Sequence, residues 1–156
     1  MTGGATAIPE VQALVRALAT GRDVAELGAA YGETAALLAE TARSVVTVEL
    51  DPDRVAVARE RLRGIANVEL LEGDAYEQLR GRGPFGLVFA DGGRPYDWEA
   101  IVGLTEPGGL IVKDDLTPDR PVEGDEIREF LLCDPRLAAA EILATPEMAV
   151  IVAAVL

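Results

Sequence analysis

Short apolar runs that alternate with amphipathic stretches constrain this chain more than any other feature. Five such runs, Val24 to Leu27, Ser44 to Glu49, Val68 to Glu72, Phe85 to Ala90 and Leu110 to Lys113, are separated by helical patterns. Strands that alternate with helices imply parallel pairing through right-handed crossovers. Two last runs, Leu137 to Ala144 and Ala149 to Val155, are joined by little more than Thr145-Pro146-Glu147. A link that short permits only an antiparallel hairpin. The expectation is an α/β fold: a doubly wound, mostly parallel sheet closed by a hairpin.

The helical stretches carry their own punctuation. Pro9 and Glu10 open the first, which runs through Val11, Leu14, Val15 and Leu18 to Gly21. Others are expected over Thr34 to Ala42, Tyr76 to Arg80, Asp97 to Leu104 and Gly124 to Leu132. Asp51-Pro52 supplies a cap and a first-turn proline for a helix that sets Val55, Ala58 and Leu62 on one face. Pro107-Gly108-Gly109 reads as the turn before the fifth strand.

The 156 residues suit one domain, with a helix over 1–21, a ligand-binding half over 22–115 and a closing segment over 116–156. With 27 carboxylates against 14 basic residues the net charge is −13, which opposes phosphate backbones and anionic lipid. The Arg54, Arg59, Arg61 and Arg63 group reads as a solvated helix face. No nucleic-acid or membrane partner is expected. No run is long enough to span a bilayer, and the N-terminus MTGGATAIPE lacks the pattern of a leader, so a cytoplasmic location is expected. The lone Cys133 forms no intrachain disulfide and reads as a small buried hydrophobe. The chain contains no histidine, which excludes His-based triads and His metal ligands.

Open α/β sheets bind ligands beyond the carboxyl ends of their strands, so those ends carry the chemistry. The first is AELGAAYGETA, where Gly28 and Gly32 flank a tight turn into a helix. Ala30 stands where a dinucleotide fingerprint needs its second glycine, and Glu26 disfavours a pyrophosphate but welcomes an ammonium or sulfonium group. In VVTVELDPDR, Glu49 lies 21 residues after Gly28, a spacing that favours hydrogen bonds to a ribose diol over a bare strand end. In LEGDAYEQL, Asp74 and Ala75 either read an adenine edge or simply cap the next helix.

These spacings, followed by FADGGRPY, PGGLIVKDDL and the terminal hairpin, resemble the class I S-adenosylmethionine-dependent methyltransferases. Within that superfamily the chain is most similar to the small-molecule O-methyltransferases of the catechol and caffeoyl-CoA type and their bacterial relatives. The resemblance runs from about Val24 to the C-terminus. It implies a Rossmann-like seven-stranded sheet in the order 3-2-1-4-5-7-6 with an antiparallel last strand, and methyl transfer to a small-molecule acceptor at oxygen. It places Glu26, Gly28, Ala30 and Gly32 at the methionine end of S-adenosylmethionine, with Thr34 at its carboxylate. Glu49 takes the ribose, Leu50 and Ala75 flank the adenine, Asp74 lies near its amino group, and Asp91 lies beside the methionine amino group and the methyl.

The same resemblance implies a divalent cation, magnesium or calcium, on Asp91, Asp114 and Asp115. Two departures stand out. Where the family has a basic Lys, three residues after the first Asp, this chain has Arg94, which does not take protons at neutral pH. Lys113 is the remaining candidate base, or else a partner of the adjacent acids, so the catalytic candidates are Asp91, Arg94 and Lys113. The chain also has only one helix before its first strand, which leaves the acceptor site open, closed by the partner subunit of a homodimer, or covered by Leu116 to Gly124. Tyr96 and Trp98 suit either an aromatic pocket or core packing. Competing readings are a catalytically silent cofactor-binding or interaction domain and a nicotinamide-binding oxidoreductase domain.

Overall fold

A computed structural model describes residues 6–92 and 94–156. Residues 1–5, the start of the N-terminal stretch discussed above, and residue 93 lie outside the described residues. The elements follow in the order α1 (Pro9–Leu18), β1 (Asp23–Leu27), α2 (Glu33–Ala39), β2 (Ser44–Glu49), α3 (Pro52–Arg61), β3 (Val68–Glu72) and α4 (Ala75–Leu79). After them come β4 (Phe85–Ala90), α5 (Trp98–Leu104), β5 (Thr105–Leu116), α6 (Glu126–Cys133), β6 (Leu137–Thr145) and β7 (Met148–Val155).

The seven strands form one sheet in the order β3-β2-β1-β4-β5-β7-β6. Pairing is parallel from β3 to β5, and β7 runs antiparallel to both β5 and β6. The central strand β4 is buried along its whole length, as a parallel strand covered on both faces must be. One apolar layer joins the sheet to α1, α2 and α3 through Val11, Val15, Leu38 and Leu62. The opposite layer joins it to α4, α5 and α6 through Leu79, Ile101, Leu104 and Leu131.

Local signals account for most helix starts. Asp51 caps α3 by accepting from the Asp53 and Arg54 amides at 2.9 and 3.3 Å. Asp74 caps α4 by accepting from Tyr76 and Glu77, both at 3.0 Å. α6 starts at Glu126, two residues later than its pattern suggested, because Asp125 is the cap and accepts from the Arg128 amide at 3.1 Å.

β5 departs from expectation. Pro107-Gly108-Gly109 does not end a helix and start a strand; it bulges within one strand of 12 residues. Phe85 pairs with Thr105 and Leu87 with Leu110, so the extra residues loop out of register. Gly109 permits this, because a Cβ there would lie 2.8 Å from the Glu106 carbonyl oxygen. A second irregularity follows Lys113, where Asp115 adopts φ 59°. Cys133 is exposed rather than buried. The buried residues of α6 are Arg128 and Leu131, and a residue two positions beyond Leu131 falls on the far side of the helix. Among the described residues, no helix is long and apolar enough to cross a membrane.

Candidate functional site

The carboxyl ends of β1, β2, β3 and β4 enclose a cleft of about 230 Å³. Its floor is the close approach of two backbones. A Cβ on Gly28 would lie 2.7 Å from the Gly92 nitrogen, and one on Gly92 would lie 2.9 Å from the Gly28 Cα. The Gly92 amide donates to the Leu27 carbonyl, locking the two strand ends together. Gly28 has φ 95°, a conformation that any side chain would strain.

Glu49 forms the wall at the β2 end and is 7% exposed. Its Oε2 accepts from the Ala30 amide at 2.7 Å, and its Oε1 accepts from the Leu50 and Asp51 amides, both at 3.0 Å. A carboxylate has about four acceptor positions, so three amides fix this one and leave one position on Oε2 open. That geometry also holds Ala30 at φ 46° and aligns the turn before α2. Leu50 is 70% exposed at the rim, opposite Asp74 and Ala75. Arg54 lines the same rim, its guanidinium 5.8 Å from the centroid of the Tyr31 ring.

The β4 and β5 end has a different character. Asp91 lines the cleft, and burial, reinforced by the nearby Asp114, pushes its pKa up to about 7. Behind it Glu26 is fully buried. Its Oε2 accepts from the Thr47 hydroxyl at 2.5 Å, while Oε1 has no hydrogen-bond partner. Desolvation raises the Glu26 pKa to about 8, so the carboxyl holds its proton at neutral pH. Burial likewise raises the pKa of Asp114, against the opposing pull of Lys113.

Arg94 lines this cleft and also a second one of about 420 Å³, bordered by Pro95, Tyr96, Trp98, Glu126 and Ile127. Its guanidinium lies 5.5 Å from the Tyr96 ring centroid. Tyr96 and Trp98 stack with centroids 4.9 Å apart, and Trp98 stacks in turn on Phe130 at 5.9 Å. Both sequence readings of this pair therefore apply at once: the rings pack against the core and face a cleft.

The geometry gathers Gly28, Ala30, Glu49, Leu50, Asp74, Ala75, Asp91 and Arg94 around the first cleft. It leaves other candidates outside it. Thr34 is 3% exposed and does not line the cleft, and its hydroxyl accepts from Gln12 of α1 at 3.3 Å. Gly32 caps α2 at φ 81° and packs against Ala58 and Leu62, where a Cβ would sit at 3.3 Å. Glu26 is fully buried and does not line the cleft.

The implied metal ligands Asp91, Asp114 and Asp115 do not form a ligand set. Among the described residues, no three His, Cys, Asp or Glu side chains lie where they could hold a metal ion. Asp114 is 2% exposed and beside Lys113, whereas the left-handed turn of β5 leaves Asp115 on the surface.

The family profile described as "Methyltransferase domain" matches residues 24–105. The chain belongs to this family. The methyltransferase domain is 32% identical over 97 residues to a protein-L-isoaspartate O-methyltransferase of Rhodopseudomonas palustris, covering 61% of this chain and 45% of that one. Over 52 residues it is 40% identical to a Methanosarcina acetivorans protein given the name probable ribosomal RNA small subunit methyltransferase A, covering 33% of this chain and 19% of that one. The chain spans about half the length of the curated relatives it matches. Among solved structures, an O-methyltransferase from Bacillus cereus in complex with SAH superposes with a TM-score of 0.76 at 22% identity, covering 97% of this chain and 83% of that one. The sheet order and the antiparallel β7 are those of the class I methyltransferase fold.

Sequence reasoning gave no role to Arg54 or Gly92, both of which line the cleft. Arg54 sits in the first turn of α3, where it looked like part of a charged helix face. Gly92 was visible in FADGGRPY, but only the three-dimensional contact shows that Gly28 requires a second glycine opposite it.

Proposed function

We propose that this domain binds S-adenosylmethionine in the first cleft and methylates a small molecule at oxygen, with the acceptor entering through the second. The observation that carries the proposal is the cleft at the strand ends, with a bare-backbone floor at Gly28 and Gly92 and the amide-fixed Glu49 at its wall. The donor set fits the cofactor. A carboxylate with an open acceptor position suits a ribose hydroxyl, a side-chain-free floor admits close approach, and nearby acidic groups suit a sulfonium. Bound there, the cofactor supplies an electrophilic methyl group on a positively charged sulfur.

Every other part is played by the chain. Glu49 orients the ribose, Leu50 and Ala75 flank the adenine, and Asp74 lies by its amino group. Gly28, Ala30 and Asp91 take the methionine end. Asp91, with a pKa of about 7, is the group suited to accept the acceptor's proton at neutral pH. Arg94 stays charged and draws the acceptor oxygen toward Asp91 from the mouth of the second cleft. No step is assigned to a divalent ion, because Asp91, Asp114 and Asp115 do not converge.

A small acceptor is favoured over a nucleic acid by the net charge of −13 and by the aromatic cleft at Tyr96 and Trp98. The test is methyl transfer from radiolabelled cofactor to a panel of phenols, carboxylic acids, amines, an isoaspartyl peptide and an RNA oligonucleotide, with the products mapped by mass spectrometry. Label on the oxygen of a small acceptor supports the proposal. Label confined to peptide or RNA, or no transfer to any member, contradicts it.

A further inference from the structure

Lys113 is the only lysine in the chain, and it is 1% exposed. Burying an ammonium is costly unless fixed partners surround it. Here Nζ donates to the Asp114 carbonyl oxygen at 2.5 Å and lies 3.6 Å from Asp114 Oδ1. That carboxylate oxygen is buried and has no hydrogen-bond partner, so the ammonium is the positive charge that meets it. On another side Nζ stands 5.4 Å from the centroid of Tyr96, within reach of a cation–π contact. Lys113 also belongs to the interior strand β5, paired with Ile151 of β7, which fixes its backbone.

We infer that Lys113 is the resident cation of this site: a positioning residue whose ammonium stands among the carboxylates in place of a divalent ion, fixing Asp114 and the Tyr96 ring. The backbone supports the exchange. Directly after Lys113 the strand slips register, and Asp115 turns left-handed at φ 59° and out to solvent. The slip removes the third carboxylate from the cluster. A covalently tethered cation is not lost to chelators, and it forms one side of the surroundings of Tyr96, which borders the acceptor-side cleft. This inference concerns Lys113 and its neighbours and does not depend on which acceptor is methylated.

The test uses the full chain with manganese(II) as probe, following free ion by electron paramagnetic resonance and stability by thermal unfolding. Wild-type protein should bind no manganese, and its melting temperature should be indifferent to the ion. Lys113→Met should melt lower, and Lys113→Met/Asp114→Asn should recover much of that loss, because removing both charges relieves the orphaned carboxylate. The emission of Trp98, the only tryptophan, should shift in Lys113→Met, because Tyr96 stacks on it at 4.9 Å. One manganese bound per wild-type chain would overturn the inference even if no variant folds. Additive effects in the double variant, or unchanged Trp98 emission, would also overturn it. SAH binding measured on the same samples keeps the two proposals apart: its absence counts against the cofactor reading and leaves this one standing.

Discussion

The two ends of the site use the same residue type in opposite ways. At the β2 end, Glu49 is buried but held by three backbone amides. At the β4 and β5 end, Glu26 and Asp114 are buried with an oxygen each that has no hydrogen-bond partner, and Glu26, Asp91 and Asp114 all have raised pKa values. Amide donors are available where a strand leaves the sheet, because Ala30, Leu50 and Asp51 lie in the turns before α2 and α3 and their N–H groups are not taken up by strand pairing. Deep between β1, β4 and β5 the amides are spent on sheet pairing, so a carboxyl there must keep its proton or find a cation. One end thereby presents a carboxylate fixed by amides, which the proposal assigns to a neutral diol, and the other gathers carboxyl groups with raised pKa values, which the proposal assigns to charge and protons.

The sharpest way to break this comparison is at the floor that both ends share. Gly28→Ala places a Cβ 2.7 Å from the Gly92 nitrogen at a φ of 95°. It should cost roughly 2–4 kcal/mol of stability and at least about tenfold in SAH affinity. Chemical denaturation and calorimetry check both; a neutral substitution would mean that the strand ends separate freely.

Next in size is Glu49→Ala, which removes the wall and three amide partners. SAH affinity should fall by roughly 1.5–3 kcal/mol, about 10- to 150-fold. Unchanged affinity in titration calorimetry would remove Glu49 from the cofactor site.

The proton-holding end is tested by pH. Glu26 has a folded pKa of about 8 against an ordinary 4.5, so the native state keeps a proton that the unfolded chain releases. Stability should therefore fall as pH rises between those values and level off above them. Glu26→Gln stays neutral throughout and should flatten that slope, by on the order of 2 kcal/mol between pH 6 and 9. Urea midpoints at the two pH values measure it, and equal slopes in both proteins would show that Glu26 is ionised in the fold. The smallest effect belongs to Asp115→Asn. The residue is exposed, so stability should change by less than about 0.5 kcal/mol, and SAH affinity should not change. A marked loss in either would return Asp115 to the site.

Much of this was legible before any coordinates. β2, β3 and β4 have the bounds that their apolar runs suggested; β4, covered on both faces, is a continuous hydrophobic segment, whereas β3 at the sheet edge is bounded by Asn67 and Gly73. Gly28, Glu49, Asp74 and Asp91 were readable from the rule that ligands sit beyond strand carboxyl ends. The failures share one cause, which is that a neighbour on another element decides direction. Thr34, which the resemblance put at the cofactor carboxylate, lies outside the lining of the cleft and accepts from Gln12 of α1. Pro107-Gly108-Gly109 looked like a turn until pairing with β4 carried the strand through it. The metal set looked complete in sequence, but one left-handed residue in β5 turned Asp115 away.

The central claim is that the cleft at the carboxyl ends of β1 to β4 is built for S-adenosylmethionine. Titration calorimetry of wild-type protein with SAH, and separately with NAD, tests it most directly. The account predicts saturable one-to-one binding of SAH and none of NAD; binding of NAD without SAH, or of neither, would contradict it.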